Sequence, residues 1–418
     1  LQTLRYGFDP EGFFAAGRRR YGDVFTARVL AETWVVLSDP GAVQEVFAQG
    51  PEQVNSGEAN FALRPLIGTR NVLLLDGPEH LARRKLVLPP FHGDRMRAYE
   101  STIRAAIAAE IAAWPLDEPA AVLPRMQALT FSVIMSSVFG LGEGERLQVL
   151  GTALRQMLAW VTDMRRALFF ATFGPERLMR LPGFRRQVEV VEREIEAEIA
   201  QRRSATDLGA REDILSLLLQ ARDEEGRGLT DAELRDELVT LLVAGHETTA
   251  TLIAWAAHEL AREPDSQQRL AAEAAAGESA FADAALSETL RLRPPIPVVL
   301  RRLREPLRIA GHELPAGTTV APCTLLVHRR PDLYPDPWRF RPERFLDHRP
   351  SAGEWFPFGG AVRRCVGAAF ARFEARIVLG ELFGALRFEP DRRRPEPVGR
   401  RGPVLVPARG ACVLATRR

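Results

Sequence analysis

Phe358-Gly359-Gly360-Ala361-Val362-Arg363-Arg364-Cys365-Val366-Gly367 is the stretch on which the reading of this chain turns. A lone cysteine is by default an ordinary buried side chain. This one stands between an arginine pair and a glycine, with two further glycines and a phenylalanine upstream. Small residues let a loop press against a flat partner, and a helix that starts just after Cys365 favours a negative sulfur, the form that ligates a metal. Arg363 offers a carboxylate a charge-assisted hydrogen bond.

Outward from this loop the chain is mostly helical. Val366 to Leu386 has helical periodicity, as do 80–89, 99–113, 124–139, 144–170, 188–203 and 282–292. The longest pattern runs from Thr230 to about Arg262, opened by a capping box of Thr230 and Glu233. Its middle, LVTLLVAGHETTATLIAW, is apolar nearly all round, so it must be buried on most sides, and Glu247 within it needs an explanation. Strand-like runs are few: VFTARVL and TWVVLS near the start, LRIAG and TTVAPCTLLV after the prolines Pro294, Pro295 and Pro297, and VLV and ACVLA in the tail. The loop 171–182, with Phe169, Phe170 and Phe173 beside or within it, has the composition of a lid. No repeat or low-complexity linker divides the chain. We therefore expect a single domain over 1–418, mainly α with a small β-sheet region: sheet-rich at about 20–40 and 296–330, helical at about 79–292 and 366–386.

Composition narrows the chemistry. The 56 Lys+Arg and 54 Asp+Glu leave a net charge of +2 over 418 residues, which excludes the strongly basic footprint of a nucleic-acid binder. Lys85 is the only lysine, so Schiff-base chemistry is excluded in practice. Three scattered cysteines, Cys323, Cys365 and Cys412, suit a reducing compartment, and a cytoplasmic location is expected. No uninterrupted apolar run reaches the ~18 residues of a spanning helix, so no membrane span is expected.

Three further segments join the cysteine loop. Ala244-Gly245-His246-Glu247-Thr248-Thr249 places two small residues before an acid–alcohol pair; Thr248 can bond back to the carbonyl of Ala244, and a carboxylate in so apolar a run is more often functional than idle. His246, one residue from either neighbour, is rotated ~100° away and reads as structural. Glu288-Thr289-Leu290-Arg291 sets acid and base on one helical face, and Arg341-Pro342-Glu343-Arg344-Phe345 follows. Asp76-Gly77-Pro78-Glu79-His80-Leu81-Ala82-Arg83-Arg84 puts His80 and Arg84 on a shared face with Arg83 turned elsewhere.

Together and in this order, the four segments resemble the cytochromes P-450. The resemblance implies that family's triangular-prism helical fold, with haem b (iron protoporphyrin IX) held between two helices. It implies Cys365 as the iron ligand, with Phe358, Arg363, Gly367, His80, Arg84, Ala244, Gly245 and either Arg301 or Arg302 around the haem. Glu247 and Thr248 would deliver protons, and Glu288, Arg291 and Arg344 would form a structural network. The pattern departs at one point: Ala361 stands where the family usually has glycine, at a backbone position for which Ala is poorly suited if φ is positive. The activity implied is monooxygenation with dioxygen of a hydrophobic small molecule, such as a fatty acid, terpenoid, steroid or polyketide, in a pocket of Leu241, Leu242, Ala244, Val298, Val299 and Leu300. Asn60, Arg64 and Arg70 are possible polar anchors. Alternatives are a peroxygenase, an oxygen-independent isomerase or dehydratase, and a haem-based sensor. The chain carries no Rossmann glycine motif or flavin module, so electrons are expected from a separate ferredoxin or flavodoxin. That partner would dock on Arg364, Arg372, Arg376, Lys85 and Arg83. A monomer is expected.

Overall fold

The structure is a computed structural model that describes residues 2–29, 32–140, 145–162, 175–346 and 348–418. In chain order the helices are α1 (Gln2–Phe8), α2 (Pro10–Tyr21), α3 (Pro40–Ala48), α4 (Arg64–Ile67), α5 (Gly77–Val87), α6 (Glu100–Ala112), α7 (Val122–Phe139), α8 (Glu145–Thr162), α9 (Pro182–Arg203), α10 (Ile214–Gln220), α11 (Asp231–Ala261), α12 (Pro264–Ala275), α13 (Ala280–Leu292), α14 (Thr324–Val327) and α15 (Ala368–Ala385). The strands are β1 (Val24–Val29), β2 (Glu32–Leu37), β3 (Val54–Asn55), β4 (Pro119–Ala121), β5 (Arg301–Leu303), β6 (Leu307–Ile309), β7 (His312–Leu314), β8 (Thr319–Pro322), β9 (Leu386–Pro390), β10 (Val398–Arg401), β11 (Val404–Pro407) and β12 (Cys412–Arg417).

α11 is the axis of the helical part. The capping box is present, with the Thr230 side chain bonded to the Glu233 N–H and the Glu233 carboxylate bonded back to the Thr230 N–H. From Thr249 to Ala261 every residue is buried, Trp255 among the largest. Each large apolar side chain so buried contributes roughly 1.5–3 kcal/mol. α11 packs most extensively on α7, with α9, α13 and α15 also against it.

The sheet part is small. β1-β2-β8-β5-β3 form one sheet, in which β2 and β8 are parallel and the other pairs antiparallel. Three smaller sheets, β4-β12-β9, β10-β11 and β6-β7, complete it. The sheet carries its own apolar clusters, one centred on Tyr6, Phe14, Trp34 and Cys323.

Three features depart from the sequence reading. The start is helical: Asp9 caps α2 by accepting from Gly12 N–H at 2.8 Å, with Pro10 at the first position. The run read as one strand to Val327 breaks at Cys323, after which α14 turns back. Among the described residues two helices, α7 and α11, do reach the length and mean hydropathy, 1.3 each, of a membrane span. Isolated polar residues such as Gln127 interrupt those runs without lowering the average enough. Two-thirds of each apolar window (67%) is buried inside the fold, as core helices require.

Candidate active site

The middle of α11 changes character over one turn. Leu242, His246, Thr249 and Ala250 are buried, whereas Ala244 is exposed and Leu241 and Thr248 are only half-buried. Positions i, i+3 and i+7 share a helical face, so a strip of an otherwise core helix looks onto open space. Cys365 is exposed too. Half-buried Leu241, Val243, Phe358 and Val366 pack on the same core cluster, and we read the strip and the cysteine loop as two walls of one interior cleft. Cys365 is thus accessible yet surrounded: burial pushes its thiol up, while the Gly367 N–H and the Arg84 and Arg364 guanidiniums favour the thiolate.

The loop that carries Cys365 is folded on itself. Cys365 N–H donates to Phe358 C=O at 2.9 Å, Gly359 has φ +70°, and Ala361 has φ +53°, so the left-handed conformation that suits glycine is occupied here by alanine. Gly367 precedes α15 at its N-cap. Gly360 lies where a Cβ would collide with the Phe47 ring.

Beside the loop, cations outnumber anions. His80 and Arg84 from α5, Arg301 from β5 and Arg363 from the loop feel one another's charge, with Asp76 the acid among them. Burial holds Arg301 and Arg363 down at about 10, still protonated at neutral pH. His80 is pressed to about 3, first by burial and then by Arg363, Arg84 and Arg301, and its buried Nδ1 has no hydrogen-bond partner among the described residues. Arg363 bonds to Asp76 and to Leu75 C=O at 2.5 Å. A ligand with two carboxylates would answer both the surplus charge and the orphaned imidazole. The choice between Arg301 and Arg302 follows from strand alternation: Arg301 is buried in the cluster, and Arg302 turns out to pair with Glu58 at 2.9 Å.

The acid–alcohol pair is split in direction. Thr248 Oγ1 donates to Ala244 C=O at 2.8 Å, as read from the sequence. Glu247 instead accepts from Gln127 Nε2 of α7 at 2.9 and 2.8 Å, with Arg401 Nε at 3.7 Å. His246 is buried, edge-on to Phe131, its Nδ1 3.0 Å from Leu242 C=O.

The Glu288 network assembles as expected. Arg291 makes two bonds to Glu288 at 2.7 and 2.8 Å, both residues fully buried, with Arg344 Nε 3.4 Å from the same carboxylate and Arg341 N–H at 2.9 Å.

Several expected positions lie elsewhere. Gly245 directs its Cβ position at Ile134 of α7, not at the cleft. Leu242 is 1% exposed in the main core, because the residue next to a cleft-facing position is rotated ~100° from it. Val298 bridges to Cys323 and packs in the sheet's cluster, with Leu300 against it; only Val299 of that trio borders the loop, near Gly359. Arg83, expected on a docking surface, is buried and bonded to Glu233 and Glu237. Asn60 bonds to Ser56 C=O at 2.7 Å, whereas Arg64 stacks on Phe61 and does line a cavity, the one beside α4 and α11. The lid aromatics Phe169, Phe170 and Phe173 lie outside the described residues. Sequence reasoning missed Gln127, Asp76, Asp236 and Glu237, whose partners are far along the chain.

A cavity of about 220 Å³ lies between α4, α8, α9 and α11, walled by Leu66, Met157, Val191 and Val239, with Arg235 and Asp236 at one side.

Comparison with known proteins agrees with this geometry. The sequence profile of the family described as Cytochrome P-450 matches residues 4–414. Cytochrome P-450 135B1 of Mycobacterium tuberculosis is 42% identical, over 99% of this chain and 89% of that relative. Cytochrome P-450 137 of the same organism is 38% identical, over 94% and 83%. Among solved structures, the retinoic acid-bound cyanobacterial CYP120A1 superposes with a TM-score of 0.87 at 24% identity, covering 100% of this chain and 96% of that one, which bears on the fold alone. The chain belongs to the cytochrome P-450 family, whose members bind haem b and act as haem-thiolate monooxygenases.

Proposed function

We propose that this monooxygenase inserts one oxygen atom of dioxygen into a C–H or C=C bond of a hydrophobic small molecule, such as a fatty acid, terpenoid, steroid or polyketide, using electrons from a separate ferredoxin- or flavodoxin-type protein. The observation that carries the site assignment is the accessible Cys365 on a folded-back loop beside a surplus of buried cations. Cys365 would ligate the iron. Arg301, Arg363, His80 and Arg84 would hold the propionates, and Phe358 and Gly367 would shape the loop. The haem, once bound, supplies dioxygen activation, its thiolate ligand favouring O–O cleavage.

The protein's own part is positioning and proton supply. Ala244 exposes backbone and a methyl group, so a flat ligand can approach α11 closely. The Thr248 hydroxyl, already donating to Ala244 C=O, retains lone pairs that would accept a hydrogen bond from a ligand. Glu247, held by Gln127 with the Arg401 guanidinium 3.7 Å away, would carry protons toward Thr248. Leu241, Ala244 and Val299 give apolar walls suited to a hydrophobic substrate.

Electron delivery would use the exposed Arg364 with the exposed Val362 beside it. Arg372 and Arg376 share the single Asp283, leaving one net positive charge, whereas Lys85 is paired with Glu224. The patch is small, so reduction by an acidic partner should slow with salt, but only moderately. Three unpaired cysteines fit work in the cytoplasm.

The test is the absorption spectrum of the reduced, CO-bound protein. A Soret band at the red-shifted position of haem thiolates is expected, and Cys365→Ser should lose it while the fold persists. A histidine-type band in the unaltered protein would overturn the assignment. Reductase-supported NADPH oxidation with formation of an oxygenated product then tests the monooxygenase reading against peroxide-only activity.

A further inference from the structure

Val72 is gripped from two directions. Its N–H donates to Glu237 Oε1 of α11 at 2.7 Å, and its C=O accepts from Arg363 Nη1 at 3.4 Å. Arg363 also takes Leu75 C=O and Asp76, so the stretch 72–76 is the link between α11 and the loop that carries Cys365. The same strap is fixed two and three residues earlier, where Asp236 Oδ2 accepts from Thr69 and Arg70 N–H at 3.0 and 2.9 Å. Gly68 has φ +74° and a Cβ position already taken by the Asp236 carboxylate.

Glu237 itself is fully buried, and its second oxygen, Oε2, has no hydrogen-bond partner among the described residues. Arg83 of α5 stands 3.2 Å from Oε1 and is shared with Glu233. The charged groups that act most on Glu237 are Arg83 from α5 and Asp236 from its own helix, with Val72 adding a backbone N–H and Glu233, one turn away, competing for Arg83. Nothing in the proposed reaction uses this carboxylate.

We propose that Glu237 is a positioning residue whose ionised carboxylate latches residues 68–76, and through Arg363 the cysteine loop, and whose protonation loosens that strap. A charge-assisted bond is about twice as strong as a neutral one, so a neutral Glu237 holds Val72 more weakly and leaves Arg83 to Glu233. Burial raises Glu237 to about 7, which places the change near neutrality: latched above, loosened below.

The experiment is hydrogen exchange of peptides covering 68–76 in the haem-loaded enzyme, at about pH 6 and about pH 8, corrected for intrinsic rates. The ionised fraction of Glu237 changes roughly tenfold across that interval, and protection should be several-fold higher on the alkaline side. Glu237→Gln should exchange at the acid-side rate at both values. Arg83→Gln, which removes the charge that opposes burial, should move the midpoint alkaline. A strap whose protection ignores pH in the unaltered enzyme, or keeps its full pH dependence in Glu237→Gln, or keeps its midpoint in Arg83→Gln, overturns the latch. The exchange readout stands apart from the haem assignment. Imidazole binding at the Soret band tests that assignment in the same samples, so the two can fail separately.

Discussion

Ala361 holds a backbone conformation that its side chain opposes. At φ +53° the Cβ crowds the adjoining carbonyl, at roughly 1–2 kcal/mol for an L-residue. A glycine would remove that strain but give the unfolded chain extra freedom, worth about 0.4–1 kcal/mol in the other direction. Ala361→Gly should therefore stabilise the protein by about 0.5–1 kcal/mol, read as a higher denaturant midpoint at unchanged slope. A lowered midpoint would mean that the methyl group, which lies beside Phe47 in a small crevice with Arg301 and Arg363, packs well enough to offset the strain. The sequence marked this position as a departure, and only the backbone angle shows that it is a strained one.

At the scale of elements, α11 has a strip around Ala244 that is open and a core face separated from it by one residue's rotation. Thr248→Ala removes the hydroxyl that donates to Ala244 but leaves Cys365 and the cation cluster untouched. Haem content and the CO band should persist while product per electron pair falls roughly tenfold or more, the size of a lost proton-transfer group, with the balance released as peroxide. Tightly coupled turnover would sink the proton-delivery role. The strap before α5 gives a second test. Gly68→Ala forces a Cβ into the Asp236 carboxylate at positive φ, and should destabilise by about 2–4 kcal/mol from backbone strain and lost bonds to Thr69 and Arg70. A change below ~1 kcal/mol in the denaturation midpoint would show that the strap contributes little. These examples also show what the sequence can carry. Thr230–Glu233, Thr248–Ala244 and Glu288–Arg291 are local pairs three or four residues apart, and each was legible as spacing. Gln127–Glu247, Arg83–Glu237 and Arg363–Asp76 join residues more than a hundred positions apart, where no periodicity links the partners. Gly245 and Leu242 were misplaced for a different reason: the motif names the turn of helix but not the angle at which it is presented.

Over the whole molecule, buried titratable groups of opposite tendency shape the response to acid. His80 and His328 are pressed to about 3 and His258 to about 4, each chiefly by burial. Their folded values lie below the unfolded 6.5, so the unfolded chain takes up these protons first, and stability is lost as pH falls from about 6.5 toward 3–4. Glu237, at about 7, and Glu374, raised well above its ordinary value by burial alone, act the other way. With folded values above the unfolded 4.5, they bind protons in the native state first and so strengthen the fold as pH falls toward 4.5. Between about pH 6.5 and 4.5 the two tendencies oppose each other, so stability changes gently. Below about 4.5 the carboxyl contribution ends and the histidine loss runs unopposed, until the folded histidines themselves take up protons near pH 3–4. Denaturant midpoints of the haem-free protein should therefore drift gently to about pH 4.5 and then collapse. Haem should soften that collapse, since a carboxylate opposite His80 lets the folded state keep a proton there. Equal acid slopes with and without haem would remove His80 from the propionate site, and a collapse already complete near pH 6 would show that Glu237 and Glu374 do not hold their protons in the fold.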